Sequence, residues 1–395
     1  MMKDWKKIKV SDLGNVITGN TPPRMNPEFY GNHTIFIKPT DIQEDVRYTR
    51  NPEECYSDMG YKKYIKSLIP KGSTCVVTIG SIGKKITQAH CDCFVNQAIN
   101  AIVPNDFYDN DFIFYLLKNN LNQVKGLDSG TASGRENVSK STFSSIEIFV
   151  PKSIETQQKI ASILSAYDDL IENNLRRIKL LEEMAAITYK EWFVNFTIEG
   201  EKLAIDETTG LPFGWEYVEL GQFIRFKKGK KPNEIFSYYK KGLSKLLLLD
   251  GIESGNYPYT NPTNQVMTQN GDLIMLMDGA RSGKVFLVED GVIGSTLAKI
   301  EIESDKISSI LMKQFMEDNI QTIQVNNTGA AIPHANKNFI NSLKFPFAVD
   351  SVLLKWNNFS KPCFKTLQNL KSQNRLLKES RDILLPRLMS GTVVA

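Results

Sequence analysis

Long apolar runs are missing from this sequence. None approaches the roughly 18 residues that cross a bilayer, and the opening Met1-Met2-Lys3-Asp4-Trp5-Lys6-Lys7 holds no apolar stretch for a signal peptide. No membrane partner is expected, and the expected location is cytoplasmic. Cysteine is sparse: five residues, an odd number in a long chain, which suits reduced thiols better than a disulfide framework. Histidine is sparser still, with three residues, leaving little material for histidine-based catalysis. Catalytic motifs are missing as well. There is no Gly-x-x-x-x-Gly-Lys-Ser/Thr phosphate loop, no Asn-Pro-Pro-aromatic methyltransferase motif, and no helicase or nuclease motif. His90-Cys91-Asp92-Cys93, with Cys75 upstream, suits a polar–apolar strand. Cys-x-Cys is not a usual zinc spacing and no second pair follows, so no metal is expected. A strong charge excess is also lacking: 48 basic against 44 acidic side chains gives +4, which permits a nucleic-acid partner without arguing for one.

What is present is length and repetition. The chain has 395 residues, which favours two globular units of about 150 residues plus connecting elements. With 41% hydrophobic residues it can bury real cores. The sequence is written twice, with a period of about 200 residues, too long for a solenoid. Trp5 to Val10, Leu13-Gly14 and Thr21-Pro22-Pro23 answer Trp215 to Gly221 and Lys230-Lys231-Pro232. Thr78-Ile79-Gly80-Ser81-Ile82-Gly83-Lys84 answers Met277-Asp278-Gly279-Ala280-Arg281-Ser282-Gly283-Lys284, each after an apolar strand. Asp128-Ser129-Gly130-Thr131-Ala132 answers Asn327-Thr328-Gly329-Ala330-Ala331. Each copy ends in a strand and a proline, Ile146 to Pro151 and Leu343 to Pro346. Short strands, Gly turns and helices near Asp111 to Val124 and Ile307 to Ile323 predict mixed α/β (α+β) copies.

A long helix is expected after each copy. From Ser153 to about Val194 there is no Gly or Pro, and Ser153 opens a capping pattern with acceptors at Glu155 and Gln157. Ile160, Tyr167, Asn174, Leu181 and Thr188 share one heptad position; Leu164, Ile171, Ile178, Ala185 and Trp192 share the other. A second helix is expected from about Lys361 to Leu388, with Cys363, Leu370, Leu377 and Leu384 in one position and Leu367, Asn374, Arg381 and Leu388 in the other. The alternative is two amphipathic helices, each packed on its own domain. Antiparallel pairing would bring Asn174 and Asn374 together, where a buried Asn pair sets register. About 35 helical residues at 1.5 Å each give a rod of roughly 50 Å, against roughly 34 Å per turn of DNA.

The helix start Pro151 to Ser165 and its end Tyr189 to Phe196, Leu211-Pro212-Phe213-Gly214-Trp215, and Arg381 to Gly391 together resemble the specificity subunits of type I restriction-modification systems. The second helix departs from the pattern, starting with Trp356-Asn357-Asn358-Phe359, and Asn96-Gln97 becomes Ser295-Thr296 in the second copy. The resemblance implies two target-recognition domains, 1–151 and 199–350, separated by spacer helices, 152–198 and 351–395, that form an antiparallel coiled coil. It implies a noncatalytic subunit that reads a bipartite, asymmetric double-stranded DNA target. It implies two methyltransferase subunits and restriction subunits as partners, directing N6-adenine methylation or cleavage. It implies no cofactor on this chain, with S-adenosylmethionine, ATP and Mg2+ used by the partners. The rival expectations are a duplicated protein-interaction scaffold and a nucleotide-modifying enzyme.

Phosphate contacts need Lys and Arg; base contacts need polar side chains. The basic candidates are Lys84 and Lys85, Lys227, Lys228, Lys230 and Lys231, and Arg281 with Lys284. The candidates for base edges are Gln97, Ser133, Arg135 and Asn137 in the first copy, and Thr296, Asn327, Thr328, His334 and Asn336 in the second. A solvated polar surface is the plain alternative for each.

Overall fold

The computed structural model describes residues 4–128, 136–329 and 331–393. It divides into two compact units, residues 1–175 with 372–395, and residues 176–371.

In the first unit, Trp5–Lys9 pairs antiparallel with Glu147–Pro151 and so ties the two ends of the repeat together. Between them lie two four-stranded sheets. One has the antiparallel order Gly14–Thr18, Ile99–Pro104, Thr74–Val77, Ile86–Gln88. The other has the order Tyr30–Gly31, Glu54–Tyr56, Thr34–Ile37, Phe94–Val95, with the last pair parallel. Thr74–Val77 is buried throughout because its alternate side chains enter two cores. Val76 packs with helix Asn110–Asn119, whereas Cys75 and Val77 pack with Ile37 and Val95 of the second sheet.

The second unit repeats this plan. Glu216–Glu219 pairs with Lys344–Phe347. One sheet runs Ile224–Lys228, Leu297–Ile302, Asp272–Leu276, Val285–Val288; the other contains the parallel pair Ser244–Leu247 and Gly291–Ile293. The same split recurs, with Leu273 and Met275 in one core and Ile274 and Leu276 in the other. The shared strand order of the antiparallel sheets and the parallel pair common to both second sheets make the duplication a structural fact. Each predicted mid-domain helix is in fact two, Asn110–Asn119 then Leu121–Lys125, and Ser309–Asp318 then Ile320–Val325. The break has one cause in both copies. An Asn side chain folds back on the carbonyl four residues earlier, Asn120 on Leu116 at 2.7 Å and Asn319 on Phe315 at 2.9 Å.

The two long helices form, with corrected ends. The first spans Ile154–Tyr189 and finishes in one wider π-helical turn, Lys190–Val194, so the α-helix stops short of Val194. That turn seats Trp192 and Phe193 in the second unit's core beside Trp215 and Trp356. Ser153 caps the helix through Thr156. Gln157 does not cap: its side chain accepts from the Asp109 amide at 3.0 Å and donates to the Pro151 carbonyl at 3.1 Å. The second helix spans Asp350–Met389, starting well before Lys361 and passing through Pro362. Burial of Val352, Leu353 and Trp356 holds those first turns, and packing outweighs the lost proline hydrogen bond.

Within the first unit the helices pair antiparallel. Asn174 donates to Asn374 at 2.9 Å, both side chains buried, and Asn374 donates to the Ile171 carbonyl at 3.3 Å. Seven residues further along one helix, Arg381 is fully buried and forms an ion pair with Asp168. Its guanidinium also meets Asp382 at 2.8 Å and Asp45 at 3.3 Å. The Tyr115 hydroxyl donates to Asp168 at 2.7 Å. Helix pair and domain are thus joined through one buried charge network. In the second unit, Glu182 and Lys371 pair at 3.4 Å in the same antiparallel sense.

Candidate nucleic-acid interface

The repeated motifs are far apart in sequence, yet each copy folds them together. In the first, the turn after Thr74–Val77 uses Gly80 at φ +86° and Gly83 at φ +75°. A side chain at Gly83 would meet Lys125 Cβ at 2.7 Å, so glycine is required there by both conformation and space. The turn binds two other segments. Thr78 N–H donates to Ala98 O at 2.8 Å, Val138 N–H donates to Thr78 O at 2.8 Å, and Gly80 N–H donates to Glu136 O at 3.0 Å. The second copy repeats each bond type. Met277 N–H donates to Thr296 O at 2.8 Å, Ala335 N–H to Met277 O at 2.8 Å, and Gly279 N–H to Pro333 O at 2.9 Å. Three loops therefore converge at the same end of the same sheet in each unit.

The side chains on this shared frame differ. In the first unit, Lys84 is exposed, while Lys85 donates to the Pro39 carbonyl at 2.6 Å. Gln97 is exposed and hydrogen-bonded to Thr21. The Asn137 backbone is held by Asp128 at 2.7 Å and bridges to Ile79. Ser133 and Arg135 lie outside the described residues.

In the second unit the cations mostly face acids. Lys228 pairs with Asp278 at 3.2 Å and Lys227 with Glu301 at 3.5 Å. Arg281 and Lys284 share Glu253, at 2.7 and 3.5 Å. The cations of these pairs are exposed, so the pairs stabilise little. Lys230 and Lys231 are exposed and have no acidic partner among the described residues. His334 closes a small hairpin with Thr328 through two backbone bonds of 2.9 and 2.7 Å, and its ring meets Asp278 at 2.7 Å. Partial burial pushes the Asp278 carboxyl up. The His334 and Lys228 contacts outweigh this and hold it below its ordinary value. Thr296 is exposed. Asn327 is turned inward, donating to Ser282 Oγ at 2.7 Å. Asn336 caps helix Lys337–Ser342, accepting from Phe339 N at 3.2 Å. Both carboxamides are thus engaged in holding loops.

Asp278, Thr21 and the Asp168–Tyr115–Arg381 network were not among the expected residues. Arg381 at a seam position was the available signal, since a seam cation needs a buried acid. Among the described residues, no cluster of His, Cys, Asp or Glu is arranged to hold a metal ion. Among the described residues, no helix is long and apolar enough to cross a membrane.

The chain is thus built as two α/β units of related plan, each with a matched loop cluster, and with long helices that pair antiparallel. Comparison with known proteins gives the relatives. The family described as "Type I restriction modification DNA specificity domain" matches residues 2–183. The MjaIX specificity subunit of a type I restriction enzyme from Methanocaldococcus jannaschii is 24% identical, over 98% of this chain and 93% of its own length. The HindI specificity subunit from Haemophilus influenzae is 33% identical, over 46% of this chain and 39% of its own. The fold matches the crystal structure of the type I restriction-modification S subunit from M. genitalium with a TM-score of 0.61. That match has 18% identity and covers 97% of this chain and 96% of the other. Over nearly its whole length the chain is similar to a specificity subunit of a type I restriction enzyme, and its first half matches the family's domain.

Proposed function

We propose that the chain is the noncatalytic DNA-reading subunit of its system, each copy reading one half of a bipartite duplex target. The observation that carries this is the loop convergence, built twice with the same backbone bonds and different side chains. A common frame with divergent contact residues suits two readers of different sequences, so the target is asymmetric. Phosphate contact falls to Lys84 in the first copy and to Lys227, Lys228, Lys230, Lys231, Arg281 and Lys284 in the second. Residues 1–151 and 199–350 are the readers; 152–198 and 351–395 are the spacers. The spacers set the gap between half-sites and dock two methyltransferase subunits, which supply S-adenosylmethionine chemistry at adenine N6. Restriction subunits add the ATP- and Mg2+-dependent cleavage.

Mapping methylated adenines in cells that express the system tests this. The expected pattern is one split, asymmetric motif. Exchange of residues 1–151 for the matching domain of a relative should change one half only. A change in both halves refutes separate reading. Duplex binding that does not weaken with salt would instead favour a protein scaffold.

A further inference from the structure

Between strands Ile224–Lys228 and Ser244–Leu247 lies the segment Gly229 to Leu243, and its chemistry is unlike that of its counterpart. In the first copy the corresponding segment turns its rings inward. Tyr30 donates to the Pro22 carbonyl at 2.6 Å and packs on Tyr56, and Phe29 packs on Tyr64. In the second copy the rings face water. Tyr238 is 61% exposed, Tyr239 65%, and Ile235 57%. Residues 230–241, Lys-Lys-Pro-Asn-Glu-Ile-Phe-Ser-Tyr-Tyr-Lys-Lys, bracket them with two lysine pairs against one glutamate. None of these four lysines has an acidic partner among the described residues, unlike Lys227 and Lys228 beside them.

The segment is nevertheless fixed in place. Phe236 and Tyr259 exchange two backbone bonds of 2.8 Å. The Thr260 hydroxyl donates to the Glu234 carbonyl at 2.7 Å, and Tyr239 sits edge-on to Tyr259 at 5.6 Å. A held loop that shows two rings and an isoleucine to water forgoes burial that its first-copy counterpart makes. Unpaired lysines on both sides match a polyanion, and exposed rings match a base step that can be opened.

We propose that residues 230–241 form an aromatic wedge on duplex DNA. Its four lysines lie on phosphates, and Tyr238 and Tyr239 press against an unstacked base step in or beside the second half-site. This rests on the DNA-reading function proposed above. The corresponding segment of the first copy offers no such wedge, so the deformation falls on the second half-site.

The test uses the full chain and a duplex carrying the target found by methylation mapping, with 2-aminopurine placed at each step in turn. Wild-type binding should raise fluorescence at one step. Tyr238→Ala with Tyr239→Ala should abolish that rise and weaken binding on the order of 10-fold or more. Tyr→Phe at both positions should keep it. Lys240→Ala with Lys241→Ala should lower the salt slope by about two. An unchanged thermal transition and an unchanged footprint on the first half-site confirm that the variants are folded. If wild type binds with salt dependence and the alanine pair keeps both affinity and signal, the wedge is wrong and DNA reading stands. Lost affinity with no fluorescence response at any step also overturns insertion. Loss of methyltransferase association with DNA binding intact makes the patch a protein contact and overturns the wedge. Absence of salt-dependent duplex binding by wild type overturns the wedge and the DNA-reading function together.

Discussion

Replacing Arg381 by Met tests the junction of helix pair and first domain. The guanidinium is fully buried and meets three carboxylates, Asp168, Asp382 and Asp45. Asp382 and Asp45 are partly exposed and are resolvated when the cation goes; Asp168 is buried and is not. Arg381→Met leaves the Asp168 carboxylate with the Tyr115 hydroxyl as a hydrogen-bond donor. Removing one partner of a buried pair costs about 3–5 kcal/mol, chiefly through the charge left behind. For a unit of this size that lowers the transition by roughly 10 °C. The companion variant, Asp168→Leu with Arg381→Met, removes both charges and should recover most of the loss. The remaining cost is the orphaned Tyr115 hydroxyl, about 1–3 kcal/mol, which Tyr115→Phe removes. Denaturant melts of the single, double and triple variants supply the cycle. A single-variant cost below about 1 kcal/mol, or a double variant as costly as both singles summed, would refute the argument.

Other outcomes follow from the same geometry. Asn174→Leu leaves the Asn374 Oδ1 without its donor; Asn174→Leu with Asn374→Leu should raise stability while loosening the register of the helix pair. Cysteine cross-linking along the seam reads that register, and a single pattern identical to wild type would sink the idea. Gly283→Ala should destabilise by about 1–3 kcal/mol, because φ is +94° and the new Cβ meets Ile323 Cγ2 at 2.7 Å. Gly279→Ala, at φ +108° with open space, bears the conformational cost alone and should be the milder in a thermal melt. The folded-state value of Asp278 lies below its unfolded value, so its contribution is complete above the ordinary carboxylate range, about pH 4. It is lost as pH falls through the lower folded value. Asp278→Asn should remove that acid-range loss, read by amide exchange in the His334 hairpin, and should change nothing at neutral pH relative to its own acid value.

The duplication and the helical seam were legible because both are periodic. Heptad burial at Ile160, Leu164, Ile171, Asn174 and Ile178 follows from side-chain spacing. The C-terminal helix start was not legible, because Pro362 is a local signal and the burial of Trp356 is a tertiary one. The glycine turns were visible as motifs; their union with segments about twenty and nearly sixty residues away was not, since backbone bonds leave no mark on side-chain identity. The same limit applies to Asn327 and Asn336. Polar loop residues suit base contact by composition, yet one ties down Ser282 and the other caps a helix. Asp168 falls outside the two heptad positions, so only the buried cation opposite marks it.

The first unit is discontinuous: residues 372–395 belong to it although the second unit lies between. Leu385, Leu388 and Met389 share a core with Val10, Leu13 and Phe112. A ribosome therefore releases the first domain's strands long before the helix that covers them. At about 5–20 residues per second, the wait across the second unit is on the order of tens of seconds. During it, apolar surface around Ile160 and Leu164 lacks its partner. Nascent chains should engage holding chaperones over that interval, and maturation of the first unit should be gated by translation of the last helix rather than by its own folding rate.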